Sequence, residues 1–296
     1  LKKQRSHLKS FTPEIAWLSL IFLAGTALRF YQLGRDSLWL DEAGVAYAAR
    51  AGTIIKMLEI VRSHVMAMPL DYLVVWLFGR ISLQEAVLRI PAALWGSLSL
   101  LLAYLFYRQF SGAAPALLGL LVLALSPLHI QYSQELRFYS SLIFFYLLSS
   151  LLLWKTIQRP SVRAWIWFTV AAIAGIYFHP YVLFSFANGL AWLALSPPKD
   201  QPARPLRIQF LTSATLCLLA FLAGYLKFSA SNTFQIPLMV FEQSPIGAIA
   251  SGLGWLPFSA TAPSASTWPG WIWGALCACL EICGIVIAIA SPPHPA

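Results

Sequence analysis

Asp71-Tyr72-Leu73-Val74-Val75-Trp76-Leu77-Phe78-Gly79-Arg80 is the stretch on which the topology of this chain turns. Charges bracket eight uncharged residues, Tyr72 to Gly79. As a helix, eight residues rise ~12 Å, against ~30 Å of hydrocarbon in a bilayer. The stretch therefore reads as an interfacial or re-entrant helix packed against protein. The consequence is global, because a crossing at 72–79 would invert every later loop.

Working outward, longer apolar runs read as spans at Pro13–Tyr31, Pro91–Tyr107, Ala113–Leu128, Tyr139–Trp154, Ala164–Phe178, Tyr181–Leu195, Ile208–Phe228 and Gly270–Ala290. Lys2, Lys3, Arg5 and Lys9 precede the first and place the N-terminus in the cytoplasm. Residues 34–89 then form one large outer loop carrying amphipathic helices, and residues 229–269 form a second. In this arrangement eleven of the 20 basic residues fall inside: Lys2, Lys3, Arg5, Lys9, Arg108, Lys155, Arg159, Arg163, Lys199, Arg204 and Arg207. Asp36, Asp41, Glu42, Glu59, Asp71, Glu85, Glu135 and Glu242 fall outside. The charge bias supports the non-crossing reading of 72–79.

Composition agrees. Mean hydropathy is +0.70, and 10% of residues are charged, against roughly 25% in an average globular chain. This is an all-α polytopic membrane protein, read as a single transmembrane domain over 1–296. The net charge of +9 comes from short clusters between apolar runs, the pattern set by anionic lipid headgroups and not by nucleic acid. Three of the four cysteines (Cys277, Cys279, Cys283) share one apolar run and suggest neither a disulfide framework nor a zinc knuckle. No small-residue cleavage site follows the first span, so it stays as an anchor. The opening on Leu1 and the ending at Ser291-Pro292-Pro293-His294-Pro295-Ala296 give the expectation of an N-terminal fragment.

Polar residues gather at three places on the outer side. The first is Asp41-Glu42, within Ser37-Leu38-Trp39-Leu40-Asp41-Glu42-Ala43-Gly44. Neighbours on a helix diverge by ~100°, so at most one of the two points straight into a site and the other orients it or caps the turn. The second is Gln134-Glu135-Leu136-Arg137-Phe138-Tyr139. Arginine holds a phosphate bidentately and tyrosine adds a hydroxyl, although a Glu135–Arg137 ion pair would serve structure alone. The third is His179 with Tyr181 in a tight turn, and Asp71, Glu85 and Arg89 are further candidates for charge balance. Outer carboxylates with outer arginines suit a polar, membrane-anchored substrate: a hydroxyl nucleophile needs a base, and an anionic leaving group needs a cation. A lipid-phosphate sugar donor meets both descriptions.

At these residues the chain resembles a known group. Leu28-Arg29-Phe30-Tyr31-Gln32-Leu33-Gly34 followed by Ser37-Leu38-Trp39-Leu40-Asp41-Glu42 is similar to the first helix and loop of glycosyltransferase family 39-like enzymes. These are integral-membrane enzymes of the GT-C fold, akin to protein O-mannosyltransferases and lipid A aminoarabinose transferases. Leu88-Arg89-Ile90-Pro91-Ala92-Ala93, the run from Leu125 to Tyr139, and His179-Pro180-Tyr181 resemble later blocks of the same family. The resemblance implies sugar transfer from a polyprenyl-phosphate donor to a lipid, glycan or protein acceptor on the extracytoplasmic side of the plasma membrane, with Asp41 as general base. Glu42 would assist, and Arg137, Tyr139, Glu135, Arg89, His179, Tyr181 and Asp71 would bind substrate. The family's His-Pro-Pro-Leu-Tyr-Tyr-like block reads Ala67-Met68-Pro69-Leu70-Asp71-Tyr72 here, losing the histidine and gaining an acid.

No cofactor is expected, and the scattered carboxylates offer no metal cage, so the reaction is expected to be metal-independent. Two other classes remain: a transporter or flippase of lipid-linked sugars, and a non-catalytic membrane subunit. A transporter usually keeps ionisable or broken-helix sites near the midplane. Within the spans as read, Glu281 is the residue of that kind.

Overall fold

The structure, a computed structural model, describes residues 2–62, 68–195 and 203–228. The expected second outer loop (229–269), the eighth span (270–290), Glu281 and its neighbouring cysteines lie outside the described residues.

The described chain is built of helices: α1 (Lys2–Phe30), α2 (Leu40–Ala49), α3 (Ile54–Arg62), α4 (Pro69–Gly79), α5 (Glu85–Tyr107), α6 (Ala113–Ala124), α7 (Pro127–Gln134), α8 (Tyr139–Gln158), α9 (Val162–Phe178), a 3-10 turn (Pro180–Phe184), α10 (Ser185–Leu195) and α11 (Ala203–Phe228). Four stretches are long and apolar enough to cross a membrane, Pro13–Phe30, Glu85–Tyr107, Tyr139–Gln158 and Arg204–Phe228, and α6 with α7 makes a fifth if that bent pair counts as one span. Trp17, Leu20 and Leu23 on α1 and Ile166, Trp167 and Val170 on α9 are exposed, as apolar side chains facing lipid would be.

α1 and α5 run antiparallel, and polar clamps fasten both of their ends. At one end Glu14 accepts hydrogen bonds from the Tyr104 hydroxyl and, at 2.9 Å, from Arg108 Nε. At the other, Arg89 donates to the carbonyls of Leu33 (3.2 Å) and Asp36 (2.7 Å). The chain between α1 and α5 thus leaves and rejoins the bundle at one end, and α4 does not cross it. α4 is apolar nearly all round because it lies between two clusters. Tyr72 and Val75 pack with Val45, Ala48 and Met57, and Leu70 and Val74 pack on the Phe145–Phe178 core of α8, α9 and α11. Its C-terminal end is tied to the end of α2 and the turn after it, with Arg80 donating to Ala49 O (2.7 Å) and Trp76 Nε1 donating to Ala51 O (2.8 Å).

Four of the expected spans differ from the sequence reading. The sixth is broken into the 3-10 turn Pro180–Phe184 and the short α10, and the fifth, α9, is 17 residues, so neither reaches the length of the four crossing stretches. The second span starts at Glu85, with Pro91 inside the helix instead of at its head. The third does not run straight to Leu128: α6 ends at Ala124 and α7 departs at 56°. Pro127 bars Ser126 from helical backbone, holding it extended at φ −62°, ψ 117°, and Ser126 Oγ caps the new helix by accepting from His129 N. α7 then folds back against α1, which carries residues 135–139 over to α2.

Candidate active site

α2 begins with an extended Trp39 at its N-cap, which puts Asp41 and Glu42 in its first turn. The ~100° step between neighbours separates them. Glu42 points inward and is fully buried. Its Oε1 accepts from Arg89 Nε (2.9 Å) and Leu136 N (2.6 Å). Its Oε2 accepts from Arg89 Nη2 (2.7 Å) and Trp39 N (3.3 Å). Arg89 in turn spends its remaining donors on the carbonyls of Leu33, Asp36 and Ser37. Glu42 and Arg89 are therefore occupied by each other and by backbone. They join α2, α5 and the 135–137 turn at one point.

Asp41 points the other way. Its side chain is 42% exposed, with Oδ2 3.5 Å from Arg137 Nη2. Arg137 Nη1 also reaches Asp41 O at 3.5 Å. The guanidinium lies over the rings of Phe138 (5.3 Å) and Tyr139 (5.9 Å), which hold a cation by its attraction to the π face. Arg137 Nε makes no hydrogen bond among the described residues. Arg137 does not pair with the Glu135 side chain. Glu135 instead accepts from Gln131 Nε2 at 2.9 Å, and only the backbone links the two, Arg137 N to Glu135 O.

Asp71, in the first turn of α4, is buried and accepts from Ser141 Oγ at 3.3 Å. Burial pushes its carboxyl up to about 6, while the Ser141 bond and the Arg137 charge pull the other way. His179 stacks on Phe138 at 3.9 Å and 15°, and its Nδ1 accepts from Tyr181 N. Burial, with Arg137 adding to it, drives His179 down to about 4, so the imidazole is neutral at pH 7. Tyr181 meets the His179 ring edge-on at 4.6 Å, and Tyr139 packs on Tyr132 at 4.4 Å. Burial also raises the Glu135 carboxyl, against the Gln131 bond.

Arg137 is thus the hub. Asp41 touches it, Asp71 and His179 feel its charge, Tyr139 lies under it, and Tyr181 stands behind His179. Glu42 and Arg89 form the floor. A half-open carboxylate beside a guanidinium with an unused donor sets a proton acceptor next to a binder of anions. Among the described residues, no three His, Cys, Asp or Glu side chains gather as a metal cage.

A second polar cluster lies apart from the residues singled out in the sequence. Arg29, fully buried near the end of α1, donates to Gly25 O (2.6 Å), Ala124 O (3.2 Å) and Leu123 O (3.3 Å) and meets His129 Nδ1 at 2.8 Å. At the bend after α6 the guanidinium serves the Ala124 carbonyl and adds a donor to the Leu123 carbonyl, which also accepts from Ser126 N. His129 Nε2 meets Ser99 Oγ at 3.0 Å, while Gln134 Nε2 donates to Leu28 O and Tyr31 O. α7 is bolted to α1 at both ends. The legible signals were an arginine inside an apolar run and a Ser-Pro break at Ser126-Pro127.

A profile of the dolichyl-phosphate-mannose-protein mannosyltransferase family matches residues 65–225. That range holds Asp71, Arg89, Glu135, Arg137, Tyr139, His179 and Tyr181, while Asp41 and Glu42 precede it. No curated protein and no solved structure matches the chain. With more than half of its length matched, and with an all-helical membrane fold, this chain belongs to the dolichyl-phosphate-mannose-protein mannosyltransferase family of membrane glycosyltransferases.

Proposed function

We propose that this chain transfers a sugar from a polyprenyl-phosphate donor to an acceptor hydroxyl at the extracytoplasmic membrane surface, with Asp41 as general base. The observation that carries this reading is the Asp41–Arg137 juxtaposition: an accessible carboxylate 3.5 Å from a guanidinium. Arg137 binds the donor phosphate through its planar fork. The acceptor hydroxyl oxygen attacks the anomeric carbon from the face opposite the phosphate, and the carbon–oxygen bond to phosphate breaks with inversion. The hydroxyl proton passes to Asp41, and the phosphate leaves carrying the negative charge that Arg137 neutralises. Glu42 and Arg89 hold the first turn of α2 and the 135–137 turn in register. Asp71 lies within reach of the Arg137 charge and balances it in part, and neutral His179 and Tyr181 supply hydrogen bonds at the rim.

The transporter alternative draws no support from the broken helix α6–α7. Arg29 is fully buried and His129 is 5% exposed, with carbonyls and hydroxyls as their neighbours, so that break is packed and does not line an aqueous path. The test is transfer of radiolabelled sugar from a polyprenyl-phosphate sugar in proteoliposomes. Asp41→Asn keeps size and insertion but cannot take the proton, and is expected to lose at least ~10²-fold in turnover. Near-normal turnover in that variant would overturn the assignment.

A further inference from the structure

Beside the Asp41–Arg137 pair, between the N-cap of α2 and the α7–α8 corner, lies an open pocket of about 410 Å³ lined by Trp39, Gln131, Tyr132, Glu135 and Tyr139. We infer that this pocket is a saccharide subsite that seats one sugar ring by stacking and by hydrogen bonds to neighbouring hydroxyls. The inference rests on the glycosyl-transfer reading above and adds to it a location and a ligand class.

The wall chemistry carries the argument. A sugar ring presents C–H bonds on its faces and hydroxyls round its edge, so it wants an aromatic face on one side and paired polar groups on another. Aromatic faces are electron-rich and attract such C–H hydrogens. Here Tyr132 and Tyr139 form one block, with ring centroids 4.4 Å apart at 30°, and Trp39 stands 45% exposed at the opening. The polar side is a fixed pair one helical turn apart: Gln131 Nε2 donates to Glu135 Oε1 at 2.9 Å. That bond uses one amide hydrogen and one carboxylate oxygen. The second amide hydrogen, the amide oxygen and the other carboxylate oxygen remain for hydroxyls.

Other ligands fit less well. An acyl chain would cover the Gln131–Glu135 pair without satisfying it, which costs free energy. A phosphate would meet the Glu135 carboxylate with no cation among the lining residues. The volume lies within the ~300–1,000 Å³ of small-molecule sites. Position links the pocket to the chemistry: Tyr139 is also the ring beneath Arg137, at 5.9 Å, and Trp39 lies two residues before Asp41. A ring seated here is therefore a neighbour of both the base and the phosphate binder.

The ring could belong to the donor or to a glycan acceptor, and the test separates them. Full-length chain carrying Gln131→Cys, with Trp39→Cys as an independent second reporter, is labelled in nanodiscs with a membrane-impermeant maleimide. The additions are methyl glycosides of mannose, glucose, galactose and arabinose, then polyprenyl-phosphate-linked mannose and glucose, then bare polyprenyl phosphate and glycerol. At least one sugar is expected to slow labelling at least ~3-fold, with Tyr132→Ala cancelling the protection and Tyr132→Phe retaining it, the size expected of one aromatic contact. Protection by a lipid-linked sugar at far lower concentration than by its free glycoside assigns the ring to the donor; equal potency assigns it to the acceptor. No protection by any sugar at either cysteine, or equal protection by glycerol or bare polyprenyl phosphate, overturns the subsite. Labelling needs no turnover, so failure here leaves the Asp41→Asn test standing, and failure there leaves this one standing.

Discussion

Replacing Glu42 with glutamine preserves the shape of a fully buried side chain and removes only its charge. In the native site two carboxylate oxygens receive four N–H groups: Arg89 Nε and Leu136 N on one, Arg89 Nη2 and Trp39 N on the other. Glutamine has a single oxygen, so in either flip two donors face an amide that donates in turn. Arg89, 5% exposed, loses its counter-charge. Removing one partner of a buried pair costs about 3–5 kcal/mol. Arg89 keeps its bonds to the carbonyls of Leu33, Asp36 and Ser37, which puts the expectation at the lower end, about 3 kcal/mol, or ~10² in the unfolding equilibrium. The assay is reversible unfolding by SDS in mixed micelles, run on Glu42→Gln, Arg89→Met and the double variant. Much of each single loss is the stranded partner, so the double variant should lose clearly less than the sum, by about 2 kcal/mol. Strict additivity, or a Glu42→Gln protein within ~0.5 kcal/mol of the parent, would refute the clamp.

Arg137→Lys keeps the charge but not the fork; it is expected to raise donor KM about tenfold or more with folding unchanged, and a normal donor KM would reduce Arg137 to an anchor of the α8 start. Asp71 has a folded value near 6, above its ordinary 3.8. The native state therefore holds that proton more tightly than the unfolded chain, and the stability linked to it falls as pH rises from about 4 to about 6. Melting temperatures of Asp71→Asn and the parent across that window should show the slope in the parent and its loss in the variant. Cysteines placed at Arg62 and Glu85 should both be labelled by an impermeant reagent in intact cells; labelling of the first alone would mean that residues 72–79 cross the membrane.

Much of this architecture was legible because membrane helices announce themselves by length and apolarity. α4 was legible for the opposite reason, since eight residues between Asp71 and Arg80 are too few to span. The gathering of Asp41, Arg137 and His179 from distant segments came through the resemblance of their blocks. What stayed hidden depends on which way a side chain turns. Adjacent carboxylates look alike in sequence, yet a single ~100° step makes Glu42 a buried tie and leaves Asp41 at the surface. Arg89 sits in a family-like block and reads as a substrate ligand until its donors are seen to be spent. The bend at Ser126-Pro127 could be read locally, but not the arginine 95 residues earlier that accepts responsibility for its carbonyls.

That arginine also has a history within each molecule's synthesis. α1 enters the membrane with Arg29 one residue from its end, while the carbonyl of Ala124 and the ring of His129 lie 95 and 100 residues further along. At ribosomal speeds of about 5–20 residues per second, those partners arrive roughly 5–20 s later. Near the end of a span a long arginine side chain can keep its guanidinium among the headgroups at little cost, so Arg29 does not bar α1 from inserting before its partners exist. Its buried partners in the folded chain, the carbonyls at the end of α6 and the ring of His129, are supplied by α6 and α7. α1 is thus threaded before the partners of Arg29 exist, and the contact that fastens it to α7 forms only after α7 has been made.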